Sequence, residues 1–185
     1  MSLKSVKILS IFAVFCMVFV CLTGCEDTNK AKQQNTLDNK QIRDSLEIMN
    51  KRFVAMEKEA IKNYIGNSGH DFVETGTGLC YRIVNQGDGE PIKRGNIVAL
   101  DYKMSLLNGD LIYSSDESGK KVFVVGHGGV ESGLEEAMLY LNKGDEAEII
   151  IPSRLAHGLL GDGKKIPPRA TIVYELKVIE NQVNK

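Results

Sequence analysis

The chain has 185 residues, 43% of them hydrophobic and 25% charged, with no Trp, which is the composition of an ordinary globular protein and excludes a collagen-like, disordered or multi-span membrane chain. Its 23 Lys and Arg stand against 24 Asp and Glu without a long basic run, so nucleic acid is not among the partners to expect.

Residues 1–24 carry Lys4 and Lys7, no acid, and an apolar run from Ile8 to Leu22. A run of that length suits the h-region of a secretory signal and falls short of the roughly 20 residues a spanning helix needs. It ends in Leu22-Thr23-Gly24-Cys25, which resembles the bacterial lipobox: small residues fit the signal peptidase, and the Cys thiol is diacylated before cleavage leaves it as the new N-terminus. The expectation is a lipoprotein signal over 1–24, lipidation at Cys25, and a mature chain anchored in the cell envelope, at the periplasmic face or in the outer membrane. Cys16 and Cys21 would leave with the signal, so Cys80 alone remains as a thiol and no disulfide can form within the mature chain. On a strand it reads as a small buried hydrophobe. His70, His127 and His157 are scattered and belong to no paired-ligand motif, so neither metal nor cofactor is expected.

Residues 25–36 are polar and aperiodic, which predicts a flexible tether. Over 37–66 the apolar positions Ile42, Leu46, Met49, Phe53, Met56 and Ala60 alternate spacings of four and three, which predicts an amphipathic helix stopped by Gly66 to Gly69. Its stripe has two candidate partners: the chain's own globular domain, or a second copy in a short coiled coil and hence a homodimer through 37–66.

Beyond Gly69 the period changes to two. Leu79, Tyr81 and Ile83 mark one strand, and Val98, Leu100, Tyr102 and Met104 a second that ends at Asn108-Gly109. A polar loop precedes Val122 to Val125. Ser132 and Glu135 then have capping-box spacing, with Leu134, Ala137, Met138 and Leu141 on one helical face and Gly144 as the stop. Ala147, Ile149 and Ile151 alternate in the next strand, and Ile172, Tyr174, Leu176 and Val178 in the last. The order predicts an α+β fold: an antiparallel sheet wrapped around one short helix, preceded by a long N-terminal helix. The Gly- and Pro-containing segment from Arg154 to Arg169 has the length of a functional loop.

Seven motifs, in order, resemble the FKBP family of peptidyl-prolyl cis-trans isomerases: Gly87-Asp88-Gly89, Val98 to Tyr102, Asn108-Gly109, Tyr113-Ser114-Ser115, Gly133 to Glu136, Ala156-His157-Gly158, and Ile166 to Thr171. The resemblance covers 78–180. With the lipobox and the leading helix, the whole is similar to the FKBP-type envelope lipoproteins associated with gliding motility. What the resemblance implies is rotation about X-Pro bonds of unfolded or partly folded envelope proteins, in a pocket lined by Tyr102, Ile112, Tyr113, Val130, Glu131, Leu134, His157, Ile166 and Tyr174. Glu131 would hold a substrate carbonyl through its backbone N–H, with its side chain pointing away. The pocket departs from the family where Tyr113 replaces Asp, Leu134 replaces Trp, His157 replaces Tyr and Glu131 replaces Ile, and Lys121 lies near an expected aromatic. Loss of the Asp would remove the site's one buried carboxylate. The alternative function is a catalytically weak or inactive chaperone or assembly component that binds client polypeptides.

Overall fold

The computed structural model describes residues 27–183; the expected signal segment and Cys25 lie outside them. Helix α1 spans Asp27–Ser68, so the expected tether is helical from residue 27 onward. The segment offers reason enough: Lys30, Ala31, Lys32, Gln33 and Gln34 are good helix formers, and no Gly or Pro interrupts the chain before Gly66. Gly69, at a φ of 69°, supplies the left-handed residue that ends it.

The chain divides into two units, at Phe53 and Val54. In the first, Ile42, Leu46, Met49 and Phe53 of the expected stripe are all exposed, and a Glu47–Lys51 ion pair at 2.7 Å bridges one turn. In the second, α1 presents a different face. Met56 and Ala60 stay exposed, while Ile61 is buried and Tyr64 and Ile65 are half-buried.

The second unit holds an antiparallel seven-stranded sheet. Its strands are β1 (Val73–Glu74), β2 (Cys80–Asn85), β3 (Asn96–Leu106), β4 (Leu111–Ser114), β5 (Lys121–Val124), β6 (Glu146–Ile151) and β7 (Ile172–Val183). The order is β1-β2-β6-β7-β3-β4, with β5 sharing the β4 edge of β3. Short helices α2 (Ser115–Ser118) and α3 (Ser132–Met138) lie in the connections on either side of β5. Strand β4 falls where the sequence reads as polar loop; Leu111, Ile112 and Tyr113 are too few to show a period of two.

Register decides which side chains meet. Tyr81, Ile149 and Tyr174 form one row across β2, β6 and β7 and face inward, while the neighbouring row, Cys80, Ile150 and Val173, faces the other way. The inward face joins Val98, Leu100, Tyr102 and Met104 of β3 to Leu134, Ala137, Met138 and Leu141, all buried in one core cluster. Each buried Val, Leu or Met among them contributes about 1.5–3 kcal/mol. Gly133 is what lets α3 approach: a Cβ there would collide with Ile151 and Leu155. The outward row forms a second cluster with Ile61, against which Tyr64, Ile65 and Phe72 pack. Further along this face the row Arg82, Glu148, Glu175 is charged; Glu148 accepts from Arg82 Nε at 2.8 Å and Tyr64 Oη at 3.0 Å, so its burial is compensated.

The capping box does not form. Helix α3 starts one residue early for it, with Glu131 as N-cap; Ser132 Oγ donates instead to Leu155 O. Glu135 accepts the loop N–H groups of Gly126 and Gly128 at 3.1 and 2.8 Å, stabilising the Gly-rich segment before α3. The helix also closes at Met138 rather than running on to Gly144.

Candidate active site

The fold brings all nine sequence-predicted residues to one end of the inward face. Tyr102 and Tyr174, diagonal neighbours on β3 and β7, set their ring centroids 5.7 Å apart with planes tilted by 53°. Ile112, Leu134 and Ile166 are buried with them in the main core, and Tyr113 and Val130 pack against it. Burial pushes the Tyr102 and Tyr174 hydroxyls above their ordinary range, the latter with help from the nearby Glu131 charge, so both remain protonated donors.

Glu131 is the main correction. Its side chain, expected to point away, is only 6% exposed and lies among pocket groups. Oε1 accepts from Tyr174 Oη at 3.0 Å and lies 3.2 Å from His157 Nε2, while Lys121 Nζ sits 3.3 Å from Oε2. Burial works against its ionisation, but the Lys121 charge, its own backbone N–H and the Tyr174 hydroxyl outweigh it and hold the carboxyl below the usual range. The physical reason for the inward turn is that a carboxylate at the N-cap of α3, beside a cation and two donors, loses less by burial than an unpaired one would. A buried carboxylate is therefore present in the site after all, supplied by Glu131 in place of an Asp at position 113.

The loop over 152–171 carries the other wall. Asp162 Oδ1 accepts the N–H groups of Lys164 and Ile166, both at 2.8 Å, which folds the loop back and sets Ile166 into the core. The Tyr113 hydroxyl donates to Asp162 Oδ2. Partial burial would raise the Asp162 pKa, yet the Tyr113 hydrogen bond and the two amides bring it to about 2. Lys165 Nζ lies 5.2 Å from the Tyr113 ring centroid and donates to Ile112 O at 3.0 Å, tying the loop to β4. From the far side of the sheet, Glu57 of α1 accepts from Ser153 N and Thr171 Oγ1, both at 2.7 Å, and so clasps the two ends of this loop.

Asp162 and Lys165 escaped the sequence-level site, and Lys121 entered it only as a residue near an expected aromatic. Lys121 carried a signal, since it shares the inward parity of β5 with Phe123, a parity that continues to Val125 just past the strand. Asp162 and Lys165 carried none, because loop geometry alone brings them to Tyr113.

A model of the FKBP-type peptidyl-prolyl cis-trans isomerase family matches residues 88–179. This region belongs to that family. Among curated FKBP relatives, the FKBP-type 22 kDa isomerase of Escherichia coli is 35% identical over 72% of this chain and 65% of its own length. The probable FKBP-type isomerase FkpA of Neisseria meningitidis is 36% identical over 62% of this chain and 42% of its own. The chain thus spans less than two thirds of either relative. The crystal structure of FkpA from Escherichia coli superposes with a TM-score of 0.62 at 23% identity, covering 94% of this chain and 81% of that one, a likeness of fold.

Proposed function

We propose that the domain catalyses cis-trans interconversion of X-Pro bonds in envelope proteins and so assists their folding. The observation that carries this reading is the convergence of Tyr102, Ile112, Leu134, Ile166 and Tyr174 into one apolar, aromatic cluster on the inward face of the sheet. The barrier to X-Pro rotation, roughly 18–20 kcal/mol, comes from amide resonance, and no bond has to be made or broken to lower it. A pocket that strips water from the prolyl amide and favours the twisted geometry suffices. Tyr102 and Tyr174 offer ring faces for the prolyl group, Ile112 and Ile166 exclude water, and the N-cap position of Glu131 leaves its N–H outside the helical ladder, where a substrate carbonyl can take it over from Glu131's own carboxylate. His157, with a side chain 28% exposed, stands at the margin as a further donor.

Cleavage of residues 1–24 and diacylation of Cys25 would tether the domain to the envelope, a reading supported by the basic n-region, the apolar run and the lipobox-like Leu22 to Cys25. Anchor, leading helix and domain then make a gliding-motility-type FKBP lipoprotein, and the exposed Ile42, Leu46, Met49 and Phe53 favour a homodimer through 37–66. The same exposed stripe favours the second reading, a binder of client polypeptides with little catalysis.

The decisive measurement is cis-trans exchange in a Leu-Pro peptide followed by NMR. Wild type should accelerate it, and Tyr102→Ala should lower kcat/KM by at least tenfold with the fold retained by circular dichroism. A wild-type rate equal to that of buffer at high protein concentration would leave only client binding. For the anchor, Cys25→Ser should abolish labelling by a radioactive fatty acid and release the protein from membranes.

A further inference from the structure

The pocket already has an occupant. On β5 the inward parity belongs to Lys121 and Phe123 and continues to Val125 just past its end; the last two are buried, while Val122 on the opposite face is 62% exposed. A lysine therefore stands where the pattern of a half-buried strand asks for an apolar residue. Its ammonium does not escape to solvent. Nζ donates to Tyr174 Oη at 2.6 Å, lies 3.3 and 3.4 Å from the two Glu131 oxygens, and sits 5.2 Å from the centroids of both Tyr102 and Tyr174. It covers the ring faces that a prolyl group would need.

The geometry points to Lys121 as a displaceable plug of the prolyl pocket, latched by Glu131 and Tyr174, so that a proline-containing chain binds by exchanging places with the lysine side chain. This inference rests on the isomerase reading of the same pocket. Three features make the exchange feasible. The lysine side chain is 20% exposed, so its flexible stem has a path back to water, where an ammonium is strongly hydrated. Its departure does not strand the Glu131 carboxylate, because Tyr174 Oη and His157 Nε2 remain at 3.0 and 3.2 Å. The fold has little need of the pair, since a largely buried ion pair commonly stabilises a protein no more than apolar residues of the same volume. Glu131 would then act twice: its side chain holds the plug, and its backbone N–H receives the substrate that displaces it.

The test uses Lys121→Ala, which removes the plug, and Glu131→Gln, which keeps the side-chain shape and weakens the latch. The probe is a blocked Ala-Leu-Pro-Phe peptide titrated by NMR into each folded protein, with exchange measured in the same samples. Lys121→Ala should tighten Kd by about tenfold, and Glu131→Gln by a smaller factor, in line with the loss of one competing contact. Lys121→Arg, which can hold the carboxylate through two N–H groups, should weaken binding. If Lys121→Ala fails to fold, Glu131→Gln and Lys121→Arg decide alone. Unchanged or weaker binding in the folded Ala or Gln variants overturns the plug. Tighter binding with no acceleration of exchange in any sample sustains the plug and overturns the isomerase reading; exchange by wild type with no gain in the variants does the reverse. Absence of binding in every folded protein overturns both.

Discussion

Two helical stripes in this chain carry almost the same sequence signal and meet opposite fates. Leu134, Ala137, Met138 and Leu141 of α3 and its continuation are at most 1% exposed, packed into the sheet; Ile42, Leu46, Met49 and Met56 of α1 are 50–67% exposed. Periodicity reports that a helix has an apolar side, because side chains three and four apart share a face. It does not report what covers that side. For α3 the cover is set by Gly133, which brings the helix onto β6. For α1 the face that docks on the sheet is a separate one, Glu57, Ile61, Tyr64 and Ile65, which includes a carboxylate and a tyrosine and therefore looks less apolar in sequence than the stripe left exposed.

The contrast can be broken most directly by truncation. Leu134→Ala should lower the urea unfolding free energy by about 3–5 kcal/mol, the cost of a cavity at a fully buried leucine, whereas Leu46→Ala should change it by about 0.5 kcal/mol or less. Comparable losses at the two positions would mean that the α1 stripe is covered within a single chain. Ile61→Ala falls between, at about 2 kcal/mol, since Ile61 is buried against Cys80, Ile150 and Val173 on one side only. Glu57→Ala should cost about 1–3 kcal/mol by orphaning Ser153 N and the Thr171 hydroxyl, and it should also raise hydrogen exchange in the 152–171 loop.

The same distinction explains what could be read without coordinates. Long alternating runs, such as Val98 to Met104 and Ile172 to Val178, are legible because one face is uniformly apolar and the register follows from it. The four-residue strand around Ile112 is not, and neither is the helical start at Asp27, where propensity outweighs the absence of any periodic pattern. Within the site, Tyr102, Ile112 and Tyr174 are legible because they sit on strands whose inward parity is fixed, whereas Val130, His157 and Ile166 are placed by loops. The orientation of the Glu131 side chain was illegible from α3 alone: it depends on Lys121 from β5, Tyr174 from β7 and His157 from the loop, three partners supplied by tertiary structure.

Acid sharpens the comparison between buried and exposed groups. Asp162 and Glu131 both have carboxyl pKa values lowered by folding, so each contributes stability present above its unfolded pKa of about 4 and lost as pH falls through its folded value, about 2 for Asp162. Stability should therefore decline between about pH 4 and pH 2. Tyr113→Phe removes the hydroxyl that donates to Asp162 and should flatten part of that decline by lowering stability at neutral pH, leaving stability below about pH 2 close to that of wild type. A profile identical to wild type would show that the Tyr113 contact does not set the acid response of the loop.

The smallest effect on folding, and the sharpest on assembly, is expected from the exposed stripe itself. Met49 and Phe53 are 50% and 40% exposed, so changing both to Ser removes little buried area from the single chain, and its thermal midpoint in dilute solution should hold within about 2 °C. If the stripe pairs with a second copy, its apolar spacing of four and three is the seam, and hydroxyls there would have to be buried unpartnered or the seam opened. Sedimentation equilibrium of the soluble protein lacking residues 1–25 should then give the mass of two chains for wild type and of one for the double variant. Equal masses would remove the homodimer from consideration. The stripe would then be left as a surface for clients, and suppression of aggregation of an unfolded protein should weaken in the same double variant. Loss of that suppression together with unchanged mass and unchanged isomerase rate would separate binding by α1 from chemistry at Tyr102 and Tyr174, placing the two functions on the two regions that the periodicity alone could not tell apart.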